Sequence, residues 1–473
     1  MSAAAWSIAI PSAAGALCFL FGGRARKAVA IIAVAATTIA AAALVLAAAR
    51  DGADLLSLGD WPVPLAIRLR IDGLSAFMVA LQAGVGALVS IYAFGYFRGE
   101  PYVAFAWPMW LLLWAGLNGL YLTNDLFNAY VALELVGVTA VGLVAMAGKE
   151  ALAAGLRYLL VTLIGSLLYL AGVALVYAEA GAVDMDAVRT VIAGSRGAQL
   201  ALALMASGLL LKTAAFPLHF WLPPAHANAA APASAILSGL VIKGSLYLLL
   251  RLWHAVFAGD VNVILAELIG ALGIGAVVWG SLQALRQNRL KMLIAYSTVA
   301  QVGYLLMAFP LGERAWHGAL YFAAAHACAK AAMFTASGTV MRVLGHDDVS
   351  RLRGAACVLP ITMFAFALAG VALIGLPPSG GFVGKWILLE EAIGDGRWEY
   401  VVVISAGTLL AVAYVFRVIN PSLELLDEAP ERQVEPILEV PTLALALAAL
   451  LLGLAAAPAL AFIDIGSPFG ALP

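Results

Sequence analysis

A succession of long apolar stretches is the feature that most constrains this sequence. A membrane helix needs about 20 mostly apolar residues, and the chain contains about 14 such stretches. In chain order they cover residues 6–21, 28–48, 72–97, 104–122, 126–146, 152–178, 199–227, 232–256, 262–284, 290–309, 315–343, 355–393, 398–419 and 437–463. Only 11% of the residues are charged, against roughly 25% in a soluble domain. The sequence predicts an all-α polytopic membrane protein.

The connections between the stretches are short, so we expect no separate soluble domain. The longest polar connection covers residues 424–439, and we expect this acidic segment to be a surface loop. Loops on the predicted inner side contain about 14 Lys and Arg residues, and loops on the outer side contain about 8, among them Arg251. We expect a bacterial-type inner membrane protein, and this bias predicts that both of its termini lie outside.

Two of the stretches are interrupted by proline and glycine. The seventh breaks at FPLHFWLPP, residues 216–224, and the twelfth at GLPPSGGF, residues 375–382. Proline breaks a helix, and a membrane tolerates the freed backbone groups only where they face protein or water. Because the two breaks lie five stretches apart, an odd number, they indicate two copies of opposite orientation around a transport site. The expected divisions are 1–103, 104–257, 258–420 and 421–473.

Two charges in the first half suggest a titrating pair. Glu134 is a carboxylate in the middle of the fifth stretch, and Lys212 lies deep in the seventh. Burial disfavours a charged lysine and a nearby carboxylate favours it, so a movable partner would let Lys212 load and unload a proton. The alternatives are a static ion pair and, for Lys212, a lysine that caps the carbonyls freed at the break.

Four further residues in apolar stretches extend the series of titratable groups. They are Lys243, His326, Lys330 and Lys385. His326 and Lys330 are four residues apart and share a helix face, which suits a proton relay. For Lys385 the alternative is again carbonyl capping, and for Lys243 a head group in a water pocket.

Three more residues are open to two interpretations. His219 and His226 flank the first break, either as relay members or as structural hydrogen-bond partners. We expect Lys291 to be an anchor at the inner membrane surface, with an entrance for protons as the alternative.

Several kinds of chemistry lack any signature in this sequence. It contains no phosphate-binding loop, no dinucleotide fingerprint and no nucleophile elbow. Its 3 cysteines, Cys18, Cys328 and Cys357, are scattered and have no metal-ligand spacing. We therefore expect no cofactor, no metal and no nucleic-acid partner. Whether the chain serves an enzyme complex stays open.

Several of these motifs together resemble the antiporter-like subunits shared by respiratory complex I, energy-converting membrane hydrogenases and Mrp-type cation/proton antiporters. The resemblance rests on Glu134 and on GLRYLLVTLIGSLLYLAG, LLKTAAFPLHFWLPPAHANAAAPASAILSGLVIKGSLYLLLR, RLKMLIAYSTVAQVGYLLM, HACAKAAMF and GLPPSGGFVGKW. It implies 14 helices with two inverted five-helix bundles. It also implies a Glu134–Lys212 pair and a proton path through Lys243, His326 and Lys330 to Lys385.

Departures from the family pattern limit how finely the chain can be assigned. After LPPAH it reads ANAAAPASA, where many relatives have a shorter turn. It ends soon after the fourteenth stretch, so we do not expect the long lateral helix of the largest complex I member.

Three functions remain in competition at this point. The first is a proton-translocating subunit of a complex I-like or hydrogenase-like assembly, with other membrane subunits as partners. The second is a subunit of a Mrp-type Na⁺/H⁺ antiporter, and the third is a structural membrane subunit with static charge pairs. The series of titratable groups disfavours the third, because a scaffold does not need it.

Overall fold

A computed structural model of the chain describes residues 2–59, 61, 66–100, 103–192, 194–258, 263–425 and 434–468. The helices are α1 Ala3–Leu20, α2 Gly23–Asp51, α3 Gly73–Tyr96, α4 Val103–Leu122, α5 Leu126–Ala145, α6 Lys149–Ala180, α7 Met185–Ile192, α8 Arg196–Lys212, α9 Leu222–Asn228, α10 Ala231–Ile236, α11 Ile242–Arg251, α12 Val263–Arg286, α13 Leu290–Leu306, α14 Glu313–Leu344, α15 Ala355–Val358, α16 Pro360–Ile374, α17 Gly380–Gly394, α18 Trp398–Ser422, α19 Pro436–Leu451 and α20 Ala456–Ile463. Two strands, β1 Asp54–Leu58 and β2 Ile67–Ile71, form an antiparallel pair.

The predicted all-α membrane architecture is confirmed. Each predicted stretch contains helix, and ten segments within the described residues are long and apolar enough to cross a membrane. The total of about 14 spans stays a prediction, because several helices are short or broken. Large apolar side chains on the outer helices are exposed, as expected for a surface that faces lipid.

The first break follows directly after Lys212. The amide of Ala215 donates to the Leu210 carbonyl, and Ala214 has a φ of 57°. This is the left-handed ending that glycine usually supplies, and a short 3₁₀ turn, Leu218–Trp221, then leads into α9. Lys212 is therefore fixed as the last residue of its helix.

The second break divides the twelfth predicted stretch into α16 and α17. Gly375 ends α16 with a φ of 84°, and the Leu376 amide donates to the Val371 carbonyl. Here glycine adopts the left-handed conformation without a steric penalty. Both breaks thus end a helix inside the protein.

The core is built around two long buried elements. One is the continuous helical rod Ala231–Val256, in which π-helical turns at Leu237–Val241 and Leu252–Val256 flank α11. The other is α14, whose residues from Ala315 to Val340 are all buried. Because neither element faces lipid, charged side chains on them are surrounded by protein.

Some local features differ from the sequence-based expectations. The antiparallel pair of β1 and β2 and the short helix α7 have no counterpart in the sequence-based expectations. Arg68 on β2 donates to Asp184, the residue before α7, at 2.8 Å. Arg251 was assigned to an outer loop but is buried, where its Nη1 donates to Asp72 at 2.6 Å.

Residues 426–433 of the expected acidic loop lie outside the described residues. The prediction of a loop is wrong for the last part of this segment, which is helical. Helix α19 begins at Pro436, and Glu439 accepts a hydrogen bond from Thr362.

Candidate functional site

The predicted acidic and basic partners of the first half lie next to each other. Lys212 Nζ is 3.6 Å from Glu134 Oε1, and the Ser166 hydroxyl on α6 donates to the same carboxylate. The Lys212 side chain is 6% exposed, whereas that of Glu134 is 27% exposed. The lysine therefore lies inside the protein, and the carboxylate forms part of its membrane-facing surface.

A small cavity lies next to Lys212, between it and the buried rod. Its volume is about 20 Å³, and its walls include Lys212, Thr162 and Ser245. Ser245 also shares a hydrogen bond of 2.8 Å with Thr213, which follows Lys212 in the chain. One water molecule needs roughly 10–15 Å³ and two to four polar partners. The cavity thus meets the requirements for a water between Lys212 and the buried rod.

Lys243 is held within the rod itself. Its ammonium group donates to the Ser238 carbonyl in the first π-helical turn. The Ser238 hydroxyl shares a hydrogen bond of 2.9 Å with Thr298 on α13. π-helical turns inside α-helices are frequent at functional sites. The turn supplies an acceptor for a lysine that is only 1% exposed.

Lys330 and His326 project from α14 in the same region. Lys330 Nζ donates to the Ile294 carbonyl at 3.0 Å and to the Ser297 hydroxyl on α13. Neither ring nitrogen of the buried His326 has a hydrogen-bond partner among the described residues. The charges of Lys243, Lys330 and Lys385 all act on this ring. His326 is therefore within electrostatic range of both the central lysines and the last one.

Lys385 is positioned by the second break. Its Nζ donates to the Leu373 and Ile374 carbonyls at the end of α16, at 3.1 Å each. The same atom lies 4.3 Å from the ring centroid of Tyr304. Helix-end carbonyls and an aromatic face both stabilise a cation. These contacts agree with the capping alternative as well as with a relay role for Lys385.

The two histidines near the first break have different surroundings. His219 packs against Phe216, with ring centroids 5.7 Å apart. His226 is fully buried against Phe334, and the charges of Lys243, Lys291 and Lys330 act on its ring. Neither of its ring nitrogens has a partner among the described residues. The geometry favours His226 over His219 as a relay member.

A polar cavity of about 440 Å³ leads toward these residues. It is lined by Lys149, Glu150, Arg289 and Lys291, together with the backbone between α9 and α10. Lys291 is buried and donates to the Ala229 carbonyl at the cavity wall. The expectation that Lys291 is a surface anchor is wrong, because its ammonium group points into the protein.

Sequence reasoning missed the polar groups that connect the lysines. These groups are Ser166, Ser238, Ser245, Ser297 and Thr298. A serine or threonine in an apolar helix often bonds its own backbone, so the sequence alone cannot assign such a residue to a network. Among the described residues, no group of three or more His, Cys, Asp or Glu side chains could hold a metal ion.

The broken helices and the buried lysine series define a class of polytopic membrane subunits. The family model described as NADH:quinone oxidoreductase/Mrp antiporter, TM matches residues 123–411, and the complex I chain 5 N-terminus model matches residues 56–105. The chain belongs to this NADH:quinone oxidoreductase/Mrp antiporter family of membrane subunits.

Individual relatives come from both branches of the family. An NADH-quinone oxidoreductase subunit of Desulforudis audaxviator is 36% identical over 80% of this chain and 77% of its own length. An Na⁺/H⁺ antiporter subunit of Alkalihalophilus pseudofirmus is 28% identical over 87% of this chain and 85% of its own length.

Solved structures share the fold over nearly the whole chain. A chain of an archaeal membrane-bound sulfane sulfur reductase has a TM-score of 0.91 at 27% identity, covering 98% of this chain and 96% of that one. A chain of the Mrp complex from Dietzia has a TM-score of 0.90 at 24% identity, with 98% of each chain covered.

Proposed function

We propose that this chain is the proton-translocating subunit of a multi-subunit membrane complex. The observation that carries the proposal is the Glu134–Lys212 pair, which begins a series of buried lysines that continues to Lys385. Charged groups at this depth are costly, and membrane proteins retain them mainly along ion pathways. Relatives named as a complex I subunit and as antiporter subunits support the same function.

The proposed path follows the contacts between these groups. A proton on Lys212 passes through the small cavity toward Ser245 and Lys243, then through Lys330 and His326 to Lys385. His326 can accept a proton at one ring nitrogen and release one from the other, because both lack a partner among the described residues. Hydroxyl groups and water bridge the gaps between the titratable groups.

The Glu134–Lys212 pair is the proposed gate of this path. Opposite charges 4 Å apart attract each other by about 4 kcal/mol at an effective dielectric constant of 20. Moving one charge against 100 mV costs about 2.3 kcal/mol. Drawing Glu134 away from Lys212 therefore removes more interaction energy from the charged lysine than a proton needs to move against a typical membrane potential.

The exposure of Glu134 supports a neighbouring subunit at the gate, and a separate polar cavity supports a proton entrance. The 27% exposed Glu134 side chain would be costly against lipid and is satisfied if another membrane subunit covers it. The polar cavity beside Lys291 offers an entrance that continues through His226 to Lys243 and Lys330. Its basic lining belongs to the predicted inner side of a bacterial inner membrane.

The two halves of the proposed path use the two breaks in a related way. Lys212 ends the helix before the first break, and Lys385 binds the carbonyls that end the helix before the second. This correspondence supports two inverted repeats, 104–257 and 258–420, with flanking segments 1–103 and 421–473.

The second candidate is a subunit of a Mrp-type antiporter that exchanges Na⁺ for protons. It is favoured by the relatives that are named as Na⁺/H⁺ antiporter subunits. A structural subunit is the third candidate and is disfavoured. A static scaffold gains nothing from a His326 ring that lies among three lysines without a hydrogen-bond partner in the described part of the chain.

One experiment separates these candidates. The tagged chain is purified from its native membrane with its bound subunits, which mass spectrometry identifies, and the intact complex is reconstituted into liposomes. Redox subunits and redox-driven acidification without a sodium requirement would support the first candidate. Sodium-dependent proton exchange without redox subunits would support the second, and purification without transport in either assay would overturn both.

A further inference from the structure

An apolar groove on the membrane-facing surface lies between α2 and α3, far from the lysine series. It has a volume of about 600 Å³ and is lined by Ile31, Ala35 and Ile39 of α2 and by Ala87 and Ile91 of α3. Thr38, also on the groove, donates its hydroxyl to the Val34 carbonyl at 2.8 Å, so it leaves no free donor there. The groove is thus suited to a hydrocarbon chain.

A second, smaller depression continues the groove at one end. Its volume is about 170 Å³, and Lys27 and Phe94 line both spaces. We call this depression the basin. Arg26, Lys27 and Arg98 line it, and no carboxylate among the described residues does. Arg98 does contact Glu435 at 3.0 Å, but that pair is exposed and weak. The basin is therefore a cationic pocket attached to an apolar one.

The length of the groove fits one lipid leaflet. Its lining on α2 runs from Lys27 to Ile39, although α2 continues to Asp51. Twelve residues of α-helix span about 18 Å, whereas the hydrocarbon core is about 30 Å thick. A transmembrane helix of another subunit would contact α2 over most of its length, but a phospholipid ends near the middle of the membrane.

We propose that the groove and the basin together bind one anionic phospholipid. An acyl chain lies along Ile31, Ala35 and Ile39, and the phosphate group lies in the basin beside Arg26 and Lys27. Basic pockets between membrane helices on the cytoplasmic side bind anionic head groups in this way. The site is independent of the proton path, since none of its residues belongs to the relay.

Native mass spectrometry of the purified full chain tests the proposal. The protein is titrated with phosphatidylglycerol or phosphatidylcholine of identical acyl chains, and we expect phosphatidylglycerol to bind about tenfold more tightly. Lys27→Gln should weaken phosphatidylglycerol about fivefold and leave phosphatidylcholine unchanged. Ala35→Trp should weaken both lipids because it fills the groove.

Matched controls use equally exposed positions on α6. Arg157→Gln and Ala153→Trp make the same chemical changes outside both cavities and should leave binding unchanged. Equal binding of the two lipids, or equal effects of the control variants, would overturn the proposal.

Labelling in native membranes tests the occupant directly. Phosphatidylglycerol with a photoactivatable acyl chain should label residues 31–39 and 87–91. A photoactivatable amino acid at position 35 that cross-links to another polypeptide would instead make the groove a protein interface and overturn the proposal.

Discussion

Lys212 Nζ lies 3.6 Å from Glu134 Oε1, and each residue occupies a special place in its helix. Lys212 ends α8 at the first break, and Glu134 reaches the lipid-facing surface from the middle of α5. A buried lysine whose carboxylate partner is accessible from outside can be controlled from outside. On this ground we propose that the pair is a gate rather than a structural bridge.

The pair should be energetically coupled. Lys212→Met leaves Glu134 without its cation, and Glu134→Gln leaves a buried ammonium group without its anion, so each change should destabilise the protein. The double variant should cost less than the sum of the two by about 1 kcal/mol or more. The measurement is the free energy of unfolding by denaturant in mixed micelles. Strictly additive effects would mean that the two charges do not interact.

Lys243 should show a conflict between stability and activity. Its contact is a carbonyl dipole in a fully buried rod, and no carboxylate of the described residues forms an ion pair with it. Lys243→Met therefore removes a costly buried charge. We expect an unchanged or higher melting temperature together with at least a tenfold loss of proton transport. A variant that melts earlier yet still transports would assign Lys243 a structural role.

The two histidines near the first break should differ in importance. His226→Leu removes a ring that lies among three lysines and should reduce proton transport about tenfold. His219→Leu, at a ring that packs on Phe216, should have a smaller effect. Initial rates in proteoliposomes measure both. The opposite ranking would favour His219 as the relay member and contradict the entrance through His226.

Ala214 should be a site of stored backbone strain. Its φ of 57° is unfavourable for any residue with a Cβ atom, by about 1–2 kcal/mol, although glycine also costs about 0.5–1 kcal/mol of chain entropy. Each of Ala214→Gly and Ala215→Gly also removes a fully buried methyl group, worth about 0.8 kcal/mol. Ala214→Gly should therefore leave the melting temperature nearly unchanged, whereas Ala215→Gly should lower it. Equal losses in the two variants would argue against strain at residue 214.

The sequence was sufficient for the helices, the breaks and the lysines, because each has a local signal. Apolar length marks a membrane helix, proline marks a break, and a lysine within an apolar stretch stands out. Lys212 and Lys385 were found in this way. The contact between the Lys212 ammonium group and Glu134 became visible only in the three-dimensional structure, because 50 residues separate the end of α5 from the start of α8.

The features that were missed have no such local signal. Lys291 lies at a helix start, which is typical of a surface anchor, and only the packing of α9 against α13 buries it. Arg251 near a helix end was similarly assigned to a loop, although Asp72 neutralises it in the core. The antiparallel pair of β1 and β2 lies in the connection between the second and third predicted stretches, where no apolar membrane pattern marks it.

The central claim is that protons pass through Lys212, and one measurement tests it most directly. The intact complex is reconstituted into liposomes with either Lys212→Met or the exposed control Arg157→Met, and proton flux is followed with a pH-sensitive dye while subunit composition is checked. The account predicts normal assembly in both complexes and at least a tenfold loss of flux in the Lys212 variant alone. Unchanged flux with Met at position 212 would contradict the relay and its gate.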